Sequence, residues 1–215
     1  MKCALCEQRK AKRHCPAKGA LICAQCCGEK RVLEIDCPES CEYLKAGRER
    51  EAEDYTKHIR NMDQSARDRY KKVLTDYQEV IARLEYALSR ERILSRDLTD
   101  KDVAQAVEVL LETYRTEDKG ILYERTSDDL RVESLRMELR KIIESFRNPE
   151  GNEAKGIVDP QSTRLPLGGA IDCLEFVRTL AIAYMADHHS ASGYVDFLAR
   201  VIPRTEARGG SIILP

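Results

Sequence analysis

The chain of 215 residues has no tryptophan and three phenylalanines, and aromatic residues make up 6% of it. So few large rings, beside 34% charged residues, exclude a thick enzyme-like core and suit long solvated helices. No apolar run reaches the roughly 18–20 residues of a membrane span. The opening MKCALCEQRK lacks an apolar signal segment. The expectation is therefore a cytoplasmic protein with no membrane attachment. A formal net charge of −1 excludes a global pull toward nucleic acid or anionic lipid. An acid pair or nucleophile constellation is also missing, so the chain is read as not an enzyme. The glycine pair at 168–169 lacks the strand-turn-helix setting of a phosphate loop. Asp187, His188 and His189 read as a polar cap, His58 as a seam-flanking residue and Cys173 as a small core side chain. The many Asp and Glu residues are assigned to helix surfaces.

Cysteine, by contrast, is crowded. Eight of the nine lie in residues 1–41: Cys3 and Cys6, Cys15, Cys23, Cys26 and Cys27, then Cys37 and Cys41. In a reducing compartment, close thiol pairs are metal ligands more often than disulfides. A C-x2-C turn can aim two sulfurs at one ion about 2.3 Å away. Eight sulfurs make two tetrahedral sites, and the expectation is a cross-braced pair of structural Zn2+ ions. Site one takes Cys3, Cys6, Cys23 and Cys26. Site two takes Cys15, Cys27, Cys37 and Cys41, with His14 as an alternative ligand. Residues 1–47 hold few large apolar groups and cannot offset their chain entropy by burial alone. Structural zinc contributes on the order of 10 kcal/mol or more per site. An iron–sulfur cluster fits the spacing poorly, and a disulfide framework fits the missing signal segment poorly.

This order of cysteines, with seven residues between Cys15 and Cys23, resembles the B-box, a cross-braced zinc module, over residues 1–41. Cys37 and Cys41 stand where B-boxes carry histidines. The stretches CCGEKRVLEIDCPESCEYL and GILYE also resemble an uncharacterised bacterial family that joins an amino-terminal zinc module to a helical remainder. The B-box resemblance implies protein–protein association, often beside a coiled coil.

Arg9, Lys10, Lys12 and Arg13 lie between Cys6 and Cys15, with Lys30 and Arg31 further on. Such a cluster can contact phosphates. It can also neutralise thiolates: residues 1–47 hold nine basic and six acidic side chains, and two four-thiolate zinc sites bring the module to about −1. No aromatic residue is interleaved to stack bases.

Beyond the cysteines, apolar residues recur at steps of three and four: Tyr55, Ile59, Met62, Ala66, Tyr70, Val73, Tyr77, Val80, Leu84 and Ala87. That period predicts one long coiled-coil-like helix over about 49–95, roughly 70 Å long. A second helix follows a cap at Thr99 or Asp100 and ends near Gly120. A third runs from a cap at Ser127 to a stop at Pro149. Residues 148–169 read as a linker. A fourth helix is expected over 170–186 and a fifth over 194–202. The predicted organisation is a zinc module (1–47), a long helix plus two amphipathic helices (48–147), a linker (148–169), further helices of an all-α bundle (170–202) and a tail (203–215). The leading reading is a non-enzymatic protein–protein interaction or scaffold module that self-associates, most simply as a homodimer. The alternative is a nucleic-acid-binding regulator using Arg9–Arg13. A RING-like conjugation factor and a thiolate redox switch at Cys27 are weaker readings.

Overall fold

The computed structural model describes residues 1–149, 164–188 and 190–203. The first 41 residues fold around their cysteines. Strands β1 (Arg13–Cys15) and β2 (Ala20–Ile22) pair antiparallel, with Arg13 opposite Ile22, His14 opposite Leu21 and Cys15 opposite Ala20. Gly19, at φ 58°, lets the chain turn between them. Strand alternation buries Cys15 and Ile22 and leaves His14 and Leu21 outside. Helix α1 (Ala24–Lys30) is capped by Cys23, whose sulfur accepts the N–H of Cys26.

Eight α-helices are present among the described residues. The expected long helix is three helices: α2 (Glu42–Asn61), α3 (Gln64–Asp76) and α4 (Gln78–Leu94). The first break comes where Met62 is extended and the Asp63 carboxylate caps α3 by accepting the N–H of Ala66. The second is Tyr77, at φ −129°, whose ring lies against Gly169. A Cβ on Gly169 would stand 2.7 Å from that ring, so glycine permits the approach. The apolar positions of the expected seam are inward-facing, but they pack on the chain's own core.

Helix α5 (Asp100–Asp118) starts at a capping box in which Thr99 and Asp102 each satisfy the other's backbone. Helix α6 (Leu130–Arg147) is capped by Asp129 rather than Ser127, because the Asp129 carboxylate accepts from Arg131 and Val132. Helix α7 (Leu167–His188) begins three residues before the expected start and contains the glycine pair. Helix α8 is Gly193–Val201. The core runs along the α5–α7 contact. Val103, Ala106, Val107, Leu110 and Leu111 meet Leu174, Val177, Leu180 and Ala181 there, all fully buried. Most of the expected linker, residues 150–163, lies outside the described residues, as do His189 and the tail from 204 on. No helix among the described residues is long and apolar enough to cross a membrane.

One joint fastens the cysteine-rich segment to the bundle. The guanidinium of Arg31 crosses α2 at Gly47, where a Cβ would stand 1.2 Å from its Nη1. From there it donates to the carbonyl oxygens of Gly28 and Tyr43 and pairs with Glu51 at 3.4 Å. Glu51 also takes Arg200 of α8 at 2.9 Å, and Arg48 donates to the Arg200 carbonyl at 2.8 Å.

Candidate metal centre

Cys3, Cys6, Cys23 and Cys26 bring their four sulfurs within 4.8 Å of one another. A tetrahedral zinc cage with bonds of about 2.3 Å needs sulfurs about 3.8 Å apart, so the set stands within about 1 Å of that geometry. Local chain conformation does the aiming. Cys3 and Cys6 flank a tight turn in which the N–H of Glu7, at φ 54°, bonds the Cys3 carbonyl at 2.8 Å. Cys23 and Cys26 sit on the first turn of α1. Three of the four sulfurs also receive hydrogen bonds. Cys3 accepts from the backbone N–H of Leu5 (3.4 Å) and Cys23 (3.1 Å). The backbone N–H groups of Arg9 and Gln8 hold the Cys6 thiol below its usual range. Cys23 accepts from the N–H of Cys26 at 3.3 Å. Cys26 accepts from the Arg9 guanidinium at 3.5 Å.

The electrostatics fit a cation. The Cys26 N–H and the Arg9 guanidinium pull the Cys23 thiol down to about 6. Arg9 also pulls on Cys26, but burial and the neighbouring sulfurs outweigh it and push that thiol up to about 11. Four sulfurs this close cannot all ionise unless a positive ion sits among them. Zinc suits the donor set, and four sulfurs would close its coordination.

The second predicted set is brought together less tightly. Cys15, Cys27, Cys37 and Cys41 line one cavity of about 10 Å3, with Ile22, Ile35, Pro38 and Leu44 among the other residues of its wall. That is room for one water-sized sphere. Burial pushes the Cys37 thiol up, and the N–H of Val32 offsets this by donating to its sulfur. Val32 holds φ 64°, a strained setting for a β-branched residue. The sulfurs of the second set are not gathered within the 4.8 Å that groups the first set. His14 contributes to the rim of the cavity, while strand alternation leaves its residue exposed.

The basic loop divides. Arg9 turns inward onto the sulfurs, donating through Nε to Cys23 (3.4 Å) and through Nη2 to Cys26. Arg13 lies over the Tyr43 ring, 4.9 Å from its centre. Lys10 is paired by a backbone bridge to Lys2, and its side chain is exposed.

Not all acidic groups of the bundle lie on its surface: Asp100 and Asp102 are buried at the start of α5, and burial acts on Glu85 as well. Glu85 of α4 accepts hydrogen bonds from the hydroxyls of Tyr55 (3.0 Å) and Tyr194 (2.9 Å). Burial pushes its carboxyl up to about 7, against the partial pull of those two bonds. Asp100 is fully buried and accepts the N–H groups of Tyr194 and Val195, capping α8 from a distant part of the chain. Its carboxyl rises to about 6 because burial outweighs those bonds. Glu85 looks like an ordinary helix-surface acid in the sequence and Asp100 like a cap for its own helix, since Tyr194 and Val195, the partners they take from α8, lie about a hundred residues away. Cys173 is buried in the core, and burial pushes its thiol up to about 12, the state of an inert side chain.

Compared with family models, curated proteins and solved structures, the chain matches none. What stands is a mostly helical chain with an amino-terminal cluster of four cysteines at metal-binding distance.

Proposed function

We propose that this chain is a non-enzymatic zinc-binding interaction module, with a cross-braced, B-box-like metal domain held rigidly on a helical bundle. The convergence of Cys3, Cys6, Cys23 and Cys26 carries the reading. Four sulfurs saturate a tetrahedral ion and leave no position for a reacting water, which favours a structural role over zinc catalysis. A second zinc at Cys15, Cys27, Cys37 and Cys41 belongs to the same proposal. It is supported by the shared cavity and by the strained Val32 backbone that turns an N–H toward Cys37. Binding there draws the four sulfurs inward around the ion.

The self-association expected from the helical seam needs another surface, because the seam is used inside the chain. Ile121, Leu122, Tyr123, Leu130 and Met137 are exposed apolar side chains and supply the surface for a homodimer or a protein partner. Nucleic-acid binding through Lys10, Lys12 and Arg13 is the second reading. It is less favoured because Arg9 is engaged with sulfur and Arg13 with Tyr43.

Metal analysis joined to light scattering tests the proposal. Two zinc ions per chain, a dimer mass that falls to a monomer on Leu122→Glu, and no salt-dependent binding to duplex or single-stranded oligonucleotides are expected. No bound zinc overturns the metal reading. A monomer at all concentrations overturns the dimer, and oligonucleotide binding lost on Lys12→Ala moves the conclusion to the second reading.

A further inference from the structure

Arg9 bonds three of the four residues of the first cysteine set and acts electrostatically on the fourth. Its carbonyl oxygen accepts the N–H of Cys3 at 2.8 Å. Its own backbone N–H helps to hold the Cys6 thiol below its usual range. Its guanidinium donates through Nε to Cys23 and through Nη2 to Cys26, at 3.4 and 3.5 Å. Other basic residues nearby do different things: Arg13 stacks on Tyr43 and Arg31 crosses α2 at Gly47.

We infer that Arg9 is the positioning residue of the first metal centre, clamping Cys23 and Cys26 by two points and setting how long the ion stays. The inference rests on the zinc reading of that set. Four thiolates around Zn2+ leave a charge of −2 beside a surface loop. A guanidinium at hydrogen-bond distance offsets part of that charge and withdraws electron density from two sulfurs. It thereby holds both sulfurs in place and opposes attack by electrophiles, which removes a ligand. The planar fork reaches both sulfurs together, whereas a lysine ammonium could engage them only as a point charge. The same engagement takes Arg9 out of any phosphate-binding role.

The test times zinc release from the full, zinc-loaded chain to a chromophoric chelator, with metal content measured first. Arg9→Met keeps the unbranched stem of the side chain and leaves the backbone contacts available while removing the guanidinium and its charge. Release from the first set should then quicken by about 10–100-fold, the range seen when partners of metal ligands are removed. Arg9→Lys should fall between Arg9→Met and the unsubstituted chain, and Lys12→Ala should match the latter. Iodoacetamide labelling read by mass spectrometry should show Cys23 and Cys26 gaining reactivity in Arg9→Met more than Cys3 and Cys6. Release within twofold of the unsubstituted chain in Arg9→Met, with unchanged labelling, overturns the inference while leaving the zinc reading intact. Absence of zinc from the unsubstituted chain overturns both, and the initial metal content shows it before any release is timed.

Discussion

Residues 1–47 and the helical bundle use different means to hold a fold. In the bundle, one continuous cluster of aliphatic and aromatic side chains runs through α3 to α8, and Cys173 is its single cysteine. In the amino-terminal segment, the main buried cluster contains Cys3, Cys15, Cys23, Cys26 and Cys27, with only Ile22 and Ile35 as aliphatic members. A cysteine side chain buries little apolar area, so that cluster cannot match the bundle by the hydrophobic effect. The comparison teaches that the two halves should fail separately: one on losing its metal, the other on losing its packing.

The largest effect expected is on the metal side. Cys26→Ser removes one ligand and the sulfur that Arg9 engages. One zinc should be lost, and with it a contribution on the order of 10 kcal/mol to the local fold. Metal content and the amide spectrum of residues 1–47 check this, while the helical circular dichroism of the bundle should stay near its starting value.

The joint between the halves comes next. Gly47→Ala puts a methyl group where the Arg31 guanidinium now lies, and Arg31 must withdraw from Tyr43 and Glu51. A loss of about 1–3 kcal/mol is expected, as for other overpacked sites. Thermal melts of the zinc-loaded chain should then separate into two transitions, sharpening the contrast.

A smaller effect belongs to the bundle alone. The folded carboxyl of Glu85 titrates near 7, above its usual 4.5, so the folded state keeps the proton to higher pH than the unfolded chain does. Its contribution to stability is present below about 4.5 and is lost as pH rises through about 7. Asp100, near 6 instead of 3.8, acts in the same direction over a lower window. Glu85→Gln should therefore stabilise the bundle at pH 8 by about 1–2 kcal/mol and flatten the fall in melting temperature between pH 5 and 8. A variant with the pH dependence of the original chain would show that Glu85 is not the titrating group.

The grouping of Cys3, Cys6, Cys23 and Cys26 could be read from the sequence because C-x2-C turns carry their own geometry. The inward positions of the helices were legible for a similar reason: a step of three or four residues marks one helical face. The break at Asp63 had a local sign, a capping residue. The break at Tyr77 had none, since Gln78 and Glu79 favour helix and the ring finds its place against Gly169, ninety-two residues on. Arg9 stood among four basic residues of equal standing, and only the folded loop shows which one meets the sulfurs. Glu85 reads as a surface acid and Asp100 only as a cap for its own helix, because α8, which supplies Tyr194 to both, is distant in the chain.

Amide hydrogen exchange on the full chain, with zinc bound and after stripping by a strong chelator, tests the central claim most directly. The account predicts that residues 1–47 lose their protection when the metal is removed, while the α5–α7 contact keeps its own. Equal protection of residues 1–47 with and without metal would contradict it.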